Sequence, residues 1–268
     1  MRHFGLIGKS LSHSFSAKFF NGKFKAEQIE ADYQLFEIED VATIDNLIKE
    51  HNLEGFNVTI PYKEAIIPHL DGLTKEAHEI GAVNCVVIKN GQKIGHNTDL
   101  TGIEASLHWL DIDSNPKTLI LGTGGASKAV QYALKRRGIE FTVVSRDAER
   151  GDVTYDALTA EVIAEHKLII NTTPVGMTPN VDAAPAIDYS AIGSEHRLFD
   201  LVYNPAKTQF LARGEAQGAK IASVNSEGNN IIIAYADGDT VNLCCEDYAG
   251  EKGDKGEKGD TGAAGQNG

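Results

Sequence analysis

The chain predicts an α/β fold in two units, and three observations carry that prediction. Short β-branched runs alternate with amphipathic stretches up to about residue 222. A glycine-rich loop stands between an apolar run and a helical pattern in "TLILGTGGASKAVQYALKRRG". The 268 residues, 41% of them hydrophobic, suffice for a sizeable core and, at ordinary domain size, for two.

The expected strands, in order, are "HFGLI", "DYQLFEI", "GFNVTI", "TLILG", "FTVVS", "KLIIN" and "RLFDLVY", the signature of a sheet built on parallel crossovers. Between them, "VATIDNLIKEHN" and "GASKAVQYALKRRG" space their apolar residues as a helix does and finish near an asparagine or a glycine, so helices cover the sheets. "HWLDIDSNPKTLILG" places Asn115 and Pro116 just before a strand and marks the junction where a second sheet begins. The expected divisions are residues 1–100 and 101–222, an atypical segment over 223–249, and a tail over 250–268. Composition draws the line at 222, because Ser223 to Ala249 carries five acidic residues and no lysine or arginine. Within it "IIIAYADGDTVNLCC" reads as strand, Asp-Gly turn, strand.

The net charge of -13 makes polyanions such as nucleic acid poor partners. No stretch approaches the roughly 20 apolar residues that span a bilayer, and "MRHFGLIGKS" has too short an apolar run for a signal peptide. A cytoplasmic protein with no membrane partner is the expectation. Cys85, Cys244 and Cys245 have no metal-ligand spacing and make no disulfide framework, so reduced thiols and no metal are expected.

Gly122, Thr123, Gly124, Gly125 and Ala126 form the glycine loop. Such a loop needs glycine for its tight turn and for close approach of backbone N–H groups to a pyrophosphate at the helix N-terminus. A strand before it, a helix after it, and "EFTVV" at the right distance make this a Rossmann-like dinucleotide-binding unit. The second strand ends in "VVSRDAER". Ser145 and Arg146 come first, and a guanidinium suits a 2′-phosphate, which favours NADP; Asp147 one step later keeps NAD open. Arg150 is either a second phosphate contact or a solvated charge.

Ahead of the loop, "SLSHSFS", "NVTIPYK", "GAVNC" and "HNTDLTG" put polar residues in turn-like settings beside apolar runs, where parallel sheets present ligands. The hydroxyls of Ser14, Ser16 and Thr59, the amides of Asn57 and Asn84 and the Asp99 carboxylate suit a small, polyhydroxylated, anionic substrate. Lys63 is the natural proton handler, since an ammonium beside a carboxylate and partly desolvated exchanges a proton with an alcohol. Singly each has a plainer reading: Ser16 or Asp99 as a helix cap, Thr59 as a strand residue, Lys63 as a surface charge. Together they point to a site.

The set "GKSLSHSFS", "NVTIPYK", "GAVN", "NTD..G", "GTGGASKA", "NTTPVGM" and "DLVYNPAKTQFL" closely resembles shikimate dehydrogenase, in order and spacing, over about residues 1–222. The resemblance implies NADP-dependent, reversible reduction of 3-dehydroshikimate to shikimate, a step of chorismate and aromatic amino-acid biosynthesis, by a monomer or homodimer. It implies a substrate-binding first domain with Ser14 and Ser16 at the substrate carboxylate and Thr59, Asn84, Asp99 and Tyr203 near the ring hydroxyls and reacting carbon. Lys63 and Asp99 become the catalytic pair. On the cofactor it implies Gly122 to Ala126 at the pyrophosphate, Ser145, Arg146 and Arg150 at the 2′-phosphate, and "NTTPVGM", with Thr172 and Met177, and Leu201 beside it.

The chain departs from the family twice. Ala17 stands where proline usually presets a helix start. After "GAKIA" the family continues with "NGL.ML..QA" and a closing helix, where this chain has "SVNSEGNNIII". A glycine near the nicotinamide, a glutamine on the substrate and one helical cover thus lack counterparts, and reduced activity is an expectation. The tail "GEKGDKGEKGDTGAAGQNG" has six G-X-Y triplets without proline, too short and imino-poor for a triple helix alone, and is expected to be disordered. With the acidic "DGDTVNL" it resembles phage fibre segments. The alternatives are therefore a quinate or shikimate dehydrogenase using NAD, and a non-catalytic fusion or display protein that keeps the fold.

Overall fold

A computed structural model of the chain describes residues 1–12, 14–110, 112, 115–227, 230–235 and 240–243. The G-X-Y run, Cys244 and Cys245 lie outside the described residues. The described residues form two sheets. The first contains β1 (Arg2–Gly8), β2 (Ala31–Glu37), β3 (Leu53–Val58), β4 (Gly72–Leu73), β5 (Cys85–Lys89) and β6 (Gln92–His96), with α1 (Ser16–Ala26), α2 (Ile44–His51) and α3 (Lys75–Ile80) in the connections. Its strand order is β2-β1-β3-β5-β6-β4. Helix α4 (Asp99–Trp109) leads to β7 (Thr118–Leu121), α5 (Gly125–Arg137), β8 (Phe141–Ser145), β9 (Val153–Thr154), α6 (Ala160–Glu165), β10 (Leu168–Asn171), β11 (Arg197–Asp200), α7 (Gln209–Ala216), β12 (Lys220–Glu227), β13 (Asn230–Tyr235) and β14 (Thr240–Leu243). The second sheet runs β14-β13-β12-β11-β10-β7-β8-β9.

From β12 to β9 the second sheet is parallel throughout, and every residue of β7 and β10 is buried. Strands covered by helices on both faces must be apolar on both, which is why "TLIL" and "LIIN" read as continuous runs rather than alternations. Helix α5 ends at Gly138 with its N–H bonded back to Leu134 and Lys135, and α7 starts at Thr208, whose hydroxyl accepts from the Leu211 N–H. β12 crosses the composition boundary at 222 without a break. β13 and β14 add to it antiparallel, in the stretch where the family resemblance places a helix.

The first sheet is mixed rather than built only on parallel crossovers. β1 pairs parallel with β2 and β3, whereas β3–β5 and β5–β6 are antiparallel. The reason is local. Asn90 and Gly91 have φ of 54° and 76°, the left-handed pair of a two-residue hairpin turn, which closes antiparallel strands without a crossover. This pair went unread in the sequence.

The two sheets share apolar packing. Ile80 and Ala82, from the end of the first unit, belong to one buried cluster with Leu100, Ile103 and Leu107 of α4, Ala129, Val130 and Ala133 of α5, and Ile120 of β7. Near the start of the chain, α1 has no fully buried residue, and its ring Phe24 stays half-buried.

The close packing of α7 on β11 predicts a stability effect. A Cβ added at Gly214 in α7 would lie 2.2 Å from Leu198 Cδ2, and Leu198 is fully buried in β11. Gly214→Ala should therefore destabilise the protein by about 1–3 kcal/mol, read as a lower urea midpoint.

Candidate active site

Lys63 lies five residues past the end of β3, and Asp99 is the first residue of α4. The fold closes them into an ion pair, Nζ to Oδ2 at 2.6 Å, with side chains 17% and 27% exposed. Asn84, just before β5, holds the other carboxylate oxygen: its Nδ2 donates to Asp99 Oδ1 at 2.8 Å and to Thr98 Oγ1 at 2.9 Å, while its Oδ1 accepts from the Thr98 N–H at 2.7 Å. Asn97 ties the start of α4 down by donating to the Ala82 carbonyl at 3.0 Å. A half-buried ammonium with one carboxylate partner, itself held by an amide, is a group whose proton is shared in a fixed direction.

Asn57 braces this arrangement from β3. It accepts from the Tyr33 hydroxyl at 2.8 Å and donates to the Asn84 carbonyl at 3.2 Å. Tyr33 is 4% exposed, and burial raises its pKa, so it acts as a neutral donor. Ser14, Ser16 and Thr59 are half-buried beyond the ends of β1 and β3, where the Thr59 N–H donates to the Ile7 carbonyl and the Ser16 N–H to Ser14 Oγ. Among the described residues, their side chains and that of Tyr203 make no hydrogen bond to the Lys63–Asp99–Asn84 group. Tyr203 is 47% exposed.

The glycine loop meets the stem of Lys63 from the second unit. Gly122 has φ of 112°, and a Cβ there would lie 2.9 Å from Thr172 Oγ1 and 2.8 Å from Thr173 Cγ2, so only glycine fits. At Gly124 an added Cβ would meet nothing within 4 Å, leaving open space over the start of α5. Gly125 packs on the stem of Lys63, its would-be Cβ 3.0 Å from Lys63 Cβ. A left-handed glycine followed by an open helix start fits a dinucleotide pyrophosphate.

Ser145 is the buried last residue of β8, and Arg146 and Arg150 follow it, both exposed. Asp147 is engaged by its own turn: its Oδ1 accepts from the Glu149 N–H at 3.0 Å, and its N–H donates to Ser145 Oγ. Thr172 Oγ1 donates to the Leu121 carbonyl at 2.7 Å, joining the loop after β10 to the strand that feeds the glycine loop. Leu201 follows β11 with its N–H on the Asn171 carbonyl, and Met177 is 39% exposed.

One residue of this site went unread in the sequence. Asp200, fully buried, accepts from the Thr208 hydroxyl at 2.5 Å, Asn171 Nδ2 at 3.0 Å and the Val202 N–H at 2.9 Å. It clamps the two loops that carry Thr172, Met177, Leu201 and Tyr203. The available signal was a carboxylate inside the apolar run "RLFDLVY". Burial pushes its pKa up to about 6, against the three hydrogen bonds that lower it. Among the described residues no group of three or more His, Cys, Asp and Glu side chains could hold a metal ion, and no helix is long and apolar enough to cross a membrane.

These features define a class: two-domain α/β proteins in which a polar cleft with a lysine–carboxylate pair abuts a Rossmann-like dinucleotide unit. Comparison with known proteins narrows it. Residues 6–86 match the shikimate dehydrogenase substrate binding domain. The NADP(+) shikimate dehydrogenase of Carboxydothermus hydrogenoformans is 36% identical over 233 residues, covering 81% of this chain and 83% of that one. Among solved structures, shikimate 5-dehydrogenase from Thermus thermophilus, in complex with NADP(H) and shikimate, superposes with a TM-score of 0.73 at 31% identity, over 83% of this chain and 87% of that one. Quinate dehydrogenase from Corynebacterium glutamicum, in complex with NAD, has a TM-score of 0.72 at 28% identity, over 81% and 86%. The chain belongs to the shikimate dehydrogenase family.

Asp200 generates a pH prediction. Its folded pKa of about 6 lies above the ordinary 3.8, so the folded state binds the extra proton between those values. Its stability contribution is greatest below the lower value and is lost as pH rises through about 6. Asp200→Asn keeps the hydrogen-bonding shape without the charge. On going from pH 7 to pH 4, the wild type should gain about 2 kcal/mol relative to this variant in urea unfolding.

Proposed function

We propose that this chain catalyses the NADP-dependent, reversible reduction of 3-dehydroshikimate to shikimate. One observation carries the reading: the stem of Lys63, whose ammonium pairs with Asp99 at 2.6 Å, packs against Gly125, at the start of the helix that the dinucleotide loop feeds. Family membership supplies the substrate class.

In the oxidative direction, Lys63 in its neutral form takes the proton of the reacting hydroxyl. In the biosynthetic direction its ammonium returns that proton to the carbonyl oxygen. Bound NADP supplies the nicotinamide carbon that accepts or donates the hydride. Asp99 fixes the direction of the Lys63 Nζ, and Asn84 fixes Asp99. Ser14 and Ser16 take the substrate carboxylate, and Thr59, Asn84, Asp99 and Tyr203 the ring hydroxyls. Gly122, Thr123, Gly124, Gly125 and Ala126 cradle the pyrophosphate, with Thr172, Met177 and Leu201 beside the nicotinamide. Ser145, Arg146 and Arg150 take the 2′-phosphate. The exposed guanidiniums of Arg146 and Arg150 support NADP over NAD. The proposal includes a substrate-binding domain over residues 1–100, an NADP domain over 101–222, a cytoplasmic setting and a monomeric or homodimeric state.

The test is a turnover assay with shikimate and each nucleotide, read by nicotinamide absorbance. Activity with NADP well above that with NAD is expected. Preference for NAD, or for quinate, moves the protein to the neighbouring specificity, and shikimate binding without turnover marks a non-catalytic scaffold. Lys63→Ala should lower kcat by about 10²- to 10⁴-fold while shikimate still binds; full turnover in that variant would sink the mechanism. Gly122→Ala should raise the KM for NADP about tenfold or more, from backbone strain of about 1–3 kcal/mol and the clash with Thr172.

A further inference from the structure

Lys63 and Glu64 are consecutive, and both hold the first turn of α5. The Lys63 stem packs on Gly125, with Lys63 Cβ and Cδ 3.0 Å and 3.4 Å from the would-be Cβ. Glu64 Oε2 pairs with Lys128 Nζ at 2.6 Å, the two side chains 41% and 37% exposed. The ammonium of Lys128 also lies 4.0 Å from where a Cβ on Gly81 would be, at the left-handed cap that ends α3. The Val83 N–H donates to the Lys63 carbonyl at 2.7 Å, so the backbone that bears Lys63 and Glu64 is bound to the same corner. Farther along α5, Tyr132 donates to Glu79 at 2.5 Å and Arg136 pairs with Glu104 at 3.0 Å. These fasten the helix but lie one turn or more beyond Lys63.

We propose that Glu64 and Lys128 are positioning residues for the dehydrogenase reaction: their ion pair sets the separation between the Lys63 ammonium and the helix start on which the dinucleotide is held. The inference rests on the function proposed above. Its physical basis is that proton and hydride leave one C–H/O–H unit of substrate toward groups borne by different domains. Rate then depends on the register between those domains, and a misplacement of about 1 Å costs up to about a hundredfold. Glu64 and Lys128 tie that register at the residue next to the proton handler. Without Glu64, Lys128 loses the partner that ties α5 to the residue next to Lys63.

The experiment uses the full chain with shikimate and NADP. Glu64→Gln and Lys128→Met should each lower kcat by about tenfold with both KM values within about twofold of wild type, because geometry changes and not ground-state binding. The double variant should lose no more than either single one, as for partners in one interaction. Lys128→Arg should retain wild-type kcat, and Tyr132→Phe, on the same helix but away from Lys63, should leave it unchanged. A primary isotope effect from shikimate deuterated at the reacting carbon should rise in the two single variants. Unchanged kcat, additive losses in the double variant, or an equal loss in Tyr132→Phe overturns the proposal while leaving the function intact. A wild type that turns over shikimate with neither nucleotide overturns both.

Discussion

Asn84 is the tie on which the site depends. Its carbonyl accepts from the Val58 N–H at the end of β3, its N–H donates to His96 at the end of β6, and its side chain holds Asp99 at the start of α4. The end of β3, the end of β6 and the start of α4 thus meet at one residue. An amide side chain can do this because it offers donor and acceptor in one rigid plane, so the carboxylate it orients has little freedom left. With Asp99 held through one oxygen, the other is free to direct Lys63. The partly buried setting then strengthens the pair relative to a surface ion pair of the same length.

The second unit solves a different problem, which is to hold backbone open toward a ligand. The start of α5 presents N–H groups, and the loops after β10 and β11 must stay clear of them yet remain ordered. Asp200 does this from beneath. Its carboxylate gathers the Thr208 hydroxyl, the Asn171 amide and a backbone N–H, and Asn171 in turn accepts from Thr173. A buried charge costs several kcal/mol without such partners. The raised pKa shows that the hydrogen bonds only partly offset that cost.

Much of this architecture was legible in residue order. The runs "TLILG", "FTVVS", "KLIIN" and "RLFDLVY" became β7, β8, β10 and β11, because strands buried on both faces have to be continuously apolar. The glycine loop was legible because left-handed backbone at Gly122 admits almost nothing else. Less legible was the first sheet, where β5 and β6 are half-polar and their Asn90-Gly91 turn was the only strong mark. Asp200 was hidden inside a run that otherwise reads as core. Glu64 and Lys128 went unread in the sequence, since nothing local says that residues 64 positions apart are 2.6 Å from one another.

By itself the sequence determined the local chemistry: which segments are strands or helices, where backbone must be glycine, and which side chains can carry a proton, an anion or a phosphate. Those follow from periodicity, steric limits on φ, and side-chain functional groups, all properties of a residue and its near neighbours. Only the tertiary structure decided that Lys63 takes Asp99 through an oxygen left by Asn84, and that the first turn of α5 rests on the stem of Lys63. These are distances between atoms far apart in the chain, and they are set by how two sheets pack through Ile80, Ala82 and the helices α4 and α5.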